Sequence, residues 1–96
     1  MTKYITKRSK SDLNGSAKRV ALGNWLREQR EAKGMTMRDL SAVSGKPHSY
    51  FGKIEQAQRG LDLLEFIDIC RWLHIAPIKS LLSLLVLLKD PDQLQQ

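Results

Sequence analysis

The sequence predicts an all-α fold, and three observations support this prediction. Apolar residues recur at helical spacing in several separate stretches, as at Leu63, Phe66, Ile69 and Leu73. Capping residues and glycines stand at the ends of these stretches. No stretch alternates between apolar and polar residues as a half-buried strand does. The chain has 96 residues, which suits one domain, and we expect five helices in a single bundle.

The first helix is expected to begin at Val20 and to end at Gly34. Leu22, Trp25 and Leu26 recur at helical spacing, and good helix formers fill the positions after them. The glycine can adopt the left-handed conformation that ends a helix.

The next two helices are short and are joined by a glycine-containing turn. Thr36 and Asp39 form a capping box for a second helix over residues 37–44. Pro47 has the fixed φ of a first-turn residue, so it opens a third helix over residues 47–55. Two helices joined in this way form a helix-turn-helix.

The last two helices are expected after residue 61. Asp62 and Glu65 form the capping box of the fourth helix, whose apolar stripe ends at Leu73. Pro77 begins the fifth helix, which runs to Leu88.

The fifth helix is apolar on nearly every side, which is typical of a helix that is covered on more than one face. The side expected to cover the core carries Ile78, Leu81, Leu82 and Leu85, and the other sides carry Leu84, Val86, Leu87 and Leu88. We therefore expect a homodimer, with interface residues Trp72, Leu81, Leu84, Leu85 and Leu88. Packing against the chain's own first helix or N-terminal segment is the alternative.

The net charge of +6 and the pI of about 9.8 favour a polyanionic partner such as nucleic acid. An anionic membrane surface would attract the same charge. The single cysteine, Cys70, allows no intramolecular disulfide, which favours a cytoplasmic location. The N-terminus lacks the apolar run of a signal peptide, and no apolar stretch approaches the ~20 residues that span a bilayer. We expect no membrane partner.

An enzymatic function has little support in the sequence. There are two histidines, and neither a Cys/His metal spacing, a nucleophile motif nor a phosphate-binding glycine loop occurs. Cys70 lies on an apolar helical stripe, a position typical of a core residue. We expect no catalytic residue, no metal and no cofactor.

Four blocks of residues carry a family resemblance. They are Leu22-x-x-x-Leu26-Arg27-x-x-Arg30-x-x-x-Gly34-Met35-Thr36, Leu40-x-x-x-x-Gly45, Ser49-Tyr50-Phe51-x-Lys53-Ile54-Glu55 and Arg59-x-Leu61-Asp62-x-x-Glu65-Phe66. Their order resembles the Cro and lambda-repressor superfamily, also called the XRE family, over about Val20–Pro77. The resemblance implies a five-helix lambda-repressor-like bundle, whose third helix lies in the major groove of DNA. It also implies that the protein is encoded by a bacterium or a phage.

The resemblance also implies roles for individual residues. The expected base contacts are His48, Ser49, Gly52 and Lys53. The expected phosphate contacts are Arg38, Lys46, Tyr50, Gln58 and Arg59. Arg30 and Glu55 match a structural ion pair of the family. The alternative for each polar residue is an ordinary solvated helix face.

Three residues depart from the family pattern. Met37 replaces a glutamine that braces the third helix on a phosphate, and Ala57 and His74 replace glycines after the third and fourth helices. These departures bear on the phosphate contacts more than on DNA binding itself.

The chain is expected to divide into three parts. Residues 1–18 form a flexible basic arm, residues 19–89 form the DNA-binding domain with its dimerisation helix, and residues 90–96 form a frayed tail. The arm either contacts DNA or serves as a solubilising tail.

The function implied is that of a sequence-specific transcriptional regulator, a dimeric repressor of the phage, plasmid or restriction-controller kind. Its partner would be double-stranded DNA, with a palindromic operator matching the two-fold axis of the dimer. The alternative is an antitoxin or adaptor whose apolar C-terminal helix binds another protein.

Overall fold

The computed structural model describes residues 2–88, with side chains from residue 17 onward. Five helices occur in this part, namely α1 (Thr2–Ala32), α2 (Met37–Ser44), α3 (His48–Glu55), α4 (Leu63–Leu73) and α5 (Pro77–Leu88). Residues 2–88 contain no strand. The predicted all-α class is therefore confirmed, and α1 packs along both α3 and α5.

The first helix begins at Thr2, well before the predicted start at Val20. The sequence predicts a flexible arm over residues 1–18, whereas the structure continues the helix through residues 2–18. No proline precedes Pro47, and each residue added to an existing helix gains a backbone hydrogen bond. The two roles predicted for this segment, contact with DNA and a solubilising tail, stay predictions. The expected tail, residues 90–96, lies outside the described residues.

Both predicted capping boxes are present. At α2, the backbone N–H of Asp39 donates to Thr36 Oγ1 at 3.1 Å, and the N–H of Thr36 donates to Asp39 Oδ2 at 2.9 Å. At α4, the corresponding bonds between Asp62 and Glu65 are 2.7 and 3.0 Å long. The sequence therefore located these helix starts correctly, because a capping box depends on local spacing. Pro47 is the N-cap of α3, with an extended ψ of 159°, rather than its first helical residue.

Four residues after helices adopt the left-handed conformation. Gly34 does so as expected, with a φ of 69°, and Gly45, which ends α2, has a φ of 75°. Ala57 and His74, which stand where the family has glycine, have φ values of 64° and 57°. The backbone thus keeps the turn that a glycine would make, at a steric cost to each Cβ.

The core lies between α1, α2, α3, α4 and the inner face of α5. Its buried apolar residues are Trp25, Leu26, Leu40, Phe51, Ile54, Phe66, Ile69, Cys70, Leu73 and Leu84. Trp25 stacks on Phe66 with ring centroids 5.4 Å apart, and Trp72 meets the ring of Phe51 edge-on at 6.0 Å. The first contact joins α1 to α4, and the second holds α3 against α4, which fixes the side of α3 that faces outward.

Gly23 lets α1 approach the end of α3 closely. A Cβ at this position would lie 2.6 Å from the carbonyl oxygen of Ile54 and 2.7 Å from that of Glu55. Both contacts are shorter than van der Waals packing allows, so only glycine fits between the two backbones. The sequence pattern did not single out this residue.

The side of α5 that packs on the core differs from the predicted side. Leu84 and Ser80 face the core and are buried, whereas Ile78, Leu82 and Leu85 are exposed by 77%, 59% and 51%. The sequence prediction places Leu84 away from the core and Ile78, Leu81, Leu82 and Leu85 on it, so it is wrong for this helix. The spacing of apolar residues cannot identify the buried side, because apolar residues occupy nearly every side of this helix.

None of the described helices is by itself both long and apolar enough to span a bilayer. The pair formed by α4 and α5 reaches that length and composition together, but the two helices meet at an angle of 115°.

Candidate nucleic-acid interface

The outer side of α3 carries the four predicted base contacts. His48, Ser49 and Lys53 are exposed. Gly52 lies between them, and apart from its chain neighbours and its own helix backbone, no atom lies within 4 Å of the place where a Cβ would stand. The opposite side carries Phe51 and Ile54, both fully buried. The structure therefore brings the four residues together on one open face of the helix.

Arg30 and Glu55 hold the end of α3 against α1. Arg30 Nε and Nη2 donate to Glu55 Oε2 and Oε1 at 2.8 and 3.0 Å, and Arg30 Nη1 donates to the carbonyl oxygen of Met35 at 2.9 Å. The Glu55 side chain is 3% exposed. Its hydrogen bonds raise the pKa of Arg30 above the usual value, so the guanidinium stays charged. Arg27, which the sequence pattern left without a role, donates to the backbone oxygen of Glu55 at 3.3 Å.

Three of the predicted phosphate contacts are exposed near α3. Arg38 lies in the first turn of α2, Lys46 lies in the turn before α3, and Gln58 lies in the loop after α3. The amide of Gln58 donates to Gln56 Oε1 at 3.1 Å. Each of these polar groups is open to solvent, as a phosphate contact requires.

The other two predicted phosphate contacts, Tyr50 and Arg59, belong to a group we call the Tyr50 cluster, which consists of Lys46, Tyr50, Arg59 and Glu65. Lys46 Nζ and Arg59 Cζ lie 5.4 and 5.0 Å from the centre of the tyrosine ring. Tyr50 Oη donates to Glu65 Oε2 at 3.2 Å, and Arg59 Nη2 donates to the two oxygens of Glu65 at 2.9 and 2.7 Å. The cluster joins the turn before α3, the loop after it and the start of α4.

The electrostatics of the cluster follow from these contacts. Burial, followed by the nearby Glu65 carboxylate, raises the pKa of Tyr50 to about 12. The backbone N–H of Asp62 and then the Arg59 guanidinium lower the pKa of Glu65 below its usual value. The phenol is therefore neutral and the carboxylate charged at neutral pH. The sequence pattern identified Glu65 only as a capping residue, because its contact with Tyr50 depends on the fold.

The predicted dimer residues lie in different surroundings. Leu84 is buried, Trp72 packs on Phe51, and Leu88 is half-buried, whereas Leu81 and Leu85 are exposed. Beside them runs a groove of about 320 Å³ between α1, the loop before α4 and α5. Its walls include Leu22, Leu61, Phe66, Leu81, Leu84 and Leu88, with Lys18 and Arg19 also in the lining.

Comparisons with known proteins agree with this geometry. Residues 26–77 match the helix-turn-helix family HTH_3, which covers more than half of the chain. An XRE-family like protein from Pseudomonas syringae pv. tomato str. DC3000 is 36% identical, with a TM-score of 0.64 over 90% of this chain and 96% of that one. The restriction-modification controller protein C.AhdI from Aeromonas hydrophila is 35% identical, with a TM-score of 0.59 over 65% and 94%.

A third structure shares the fold at lower identity. It is the restriction-modification controller protein C.Esp1396I, a tetramer in complex with its natural 35 base-pair operator. It is 22% identical to this chain, with a TM-score of 0.67 over 74% of this chain and 93% of that one. No curated protein sequence matches the chain significantly.

Proposed function

The chain belongs to the helix-turn-helix family HTH_3, and from this premise we propose that it is a sequence-specific DNA-binding transcription regulator, a dimeric repressor of a palindromic operator. One observation carries the proposal. The outer face of α3 presents only polar side chains and an open glycine, while the opposite face is locked into the core. A helix of this kind fits the major groove, which is ~12 Å wide in B-form DNA.

The chemistry of that face suits the reading of base edges. His48 and Ser49 both donate and accept hydrogen bonds, so they can contact purines and pyrimidines. Lys53 donates only, which suits O6 and N7 of guanine. Gly52 lacks a side chain, and its backbone can approach the floor of the groove.

Positive charge next to α3 supports DNA binding. Lys46 before α3 and Arg59 after it meet at the ring of Tyr50, 5.4 and 5.0 Å from its centre, so two cations lie together beside the helix. Arg38 is exposed in the first turn of α2, and cations in such places suit contacts with backbone phosphates. The excess charge of the whole chain, +6, favours attraction to a polyanion.

The exposed apolar side of α5 supports the dimer. Ile78, Leu82 and Leu85 leave a large apolar surface open to water, and such surfaces mark protein interfaces. The neighbouring groove continues this surface through Leu81, which lines the groove and is itself exposed. A second copy related by a two-fold axis would cover both the exposed side of α5 and the groove. Such a dimer would bind two half-sites of the operator ~34 Å apart on DNA.

The similarity to C.AhdI favours a controller of restriction-modification genes among the possible repressors.

The same exposed α5 surface favours the second candidate, an antitoxin or adaptor that holds another protein. The outer face of α3 has no role in that function, so the two candidates differ in what they predict for DNA. In either case we propose a cytoplasmic protein without catalytic activity.

A selection from randomised duplexes at about 150 mM salt tests the proposal. The regulator is expected to enrich one palindrome and to bind it with a nanomolar Kd. The variant Lys53→Glu should lose this enrichment, whereas Lys79→Glu on α5, which changes the net charge equally, should keep it. Weak binding with no enriched sequence would reject the regulator in favour of the adaptor.

A further inference from the structure

The carboxylate of Glu65 accepts hydrogen bonds from three different residues. Tyr50 Oη lies 3.2 Å away, Arg59 Nη2 lies 2.7 and 2.9 Å from the two oxygens, and the backbone N–H of Asp62 donates at 3.0 Å. A capping box needs only the last of these bonds. The others have no role in starting α4, so they point to a second role for this residue.

The contacts of Arg59 define both the plane and the direction of its guanidinium. Nε donates to the carbonyl oxygen of Gly60 at 3.1 Å, Nη2 is held by Glu65, and the group lies over the ring of Tyr50. Within residues 17–88, Nη1 makes no hydrogen bond, and the side chain is 35% exposed. One end of the guanidinium is thus anchored while the other end keeps its donors for an outside acceptor.

We propose that Glu65 is a positioning residue, which holds Arg59 so that its free Nη1 binds a phosphate of the DNA backbone. The inference rests on the proposed DNA-binding function and adds to it a residue that does not itself touch DNA. Lys46, on the same tyrosine ring, supplies a second cation beside the site. Pre-orientation of this kind lowers the entropy that an arginine side chain loses when it binds.

The proposal and simple electrostatics predict opposite effects for the variant Glu65→Gln. Removing a negative charge near a polyanion strengthens binding if only the overall field matters. Releasing Arg59 weakens it if Glu65 positions the guanidinium. Glutamine also serves at this position of a capping box, so the start of α4 is retained.

The test measures the Kd of each variant for a random-sequence duplex of about 30 base pairs over a range of salt concentrations. We expect Glu65→Gln to bind about fivefold more weakly, since a charge-assisted contact is loosened, and the slope of log Kd against log salt to fall by about 0.9. The matched control is Asp68→Asn, which removes a charge from the exposed pair of Asp68 and Arg71 on the same helix. It should not weaken binding.

A double-mutant cycle with Arg59→Ala separates positioning from a general structural effect. If Glu65 acts through Arg59, then Glu65→Gln adds no further loss of affinity in the Arg59→Ala background. Additive losses, or a Glu65→Gln variant that binds as tightly as the wild type with an unchanged salt slope, would overturn the proposal. A wild-type chain that does not bind the duplex at all would instead reject the proposed function itself.

Discussion

His48 occupies the first position of α3, at the end of the helix that would enter the groove first. Its imidazole is exposed, so His48→Ala leaves the core unchanged. We expect this variant to lower the discrimination between operator and random DNA by ~1–3 kcal/mol, the value of one base contact. Competition titrations with both duplexes measure this difference. An equal loss on the two duplexes would show that His48 does not read bases.

Ala57 is strained, because its Cβ is held in the left-handed region at a φ of 64°. Left-handed backbone costs an L-residue ~1–2 kcal/mol, and the entropy of an added glycine offsets part of this. Ala57→Gly should therefore raise the free energy of unfolding by about 1 kcal/mol in urea titrations. Gly45→Ala, which creates the same strain at the end of α2, should have the opposite sign. If Ala57→Gly lowers the free energy of unfolding, Ala57 is not strained.

At the scale of elements, the contact between α1 and α3 depends on Gly23. A methyl group there would meet two backbone oxygens, which cannot rotate away as side chains do. Gly23→Ala is expected to lower the free energy of unfolding by ~2–3 kcal/mol, in the range of overpacked sites. Gly52→Ala on α3 is the matched control, because the same methyl group meets open space and gains ~0.5–1 kcal/mol of helix stability. Equal effects of the two variants would rule out the close approach.

The start of α4 depends on pH through Glu65. Its pKa is lower in the folded chain than in the unfolded one, first because of the backbone N–H of Asp62. The carboxylate therefore contributes stability above the unfolded value of about 4.3, and this contribution is lost as the pH falls through the folded pKa. Thermal unfolding between about pH 7 and pH 3 should show a decrease in Tm that is smaller in Glu65→Gln. If Tm falls with pH equally in the wild type and in Glu65→Gln, then Glu65 is not a source of the pH-dependent stability.

At the scale of the whole molecule, the open side of α5 sets the expected assembly. Leu85 is 51% exposed in one copy and would be buried in a dimer. Leu85→Gln should weaken dimerisation by at least tenfold, since burying a leucine is worth ~1.5–3 kcal/mol. Light scattering at micromolar concentration measures the mass. Val43→Gln on α2, with a similar exposure of 55%, is the control and should leave the mass unchanged. A wild-type chain that is only monomeric would reject the dimer.

The sequence by itself determined the helix count, the two capping boxes and the helix-turn-helix, because each depends on residues within a few positions of one another. It also grouped the polar face of α3, since a period of 3.6 residues fixes which side chains share a side. Tertiary structure alone decided the register of α5, where apolar residues on every side leave the period ambiguous. It alone revealed the tight fit at Gly23 and the contacts of Glu65 with Tyr50 and Arg59. These depend on the distance between elements, and no local pattern encodes that distance.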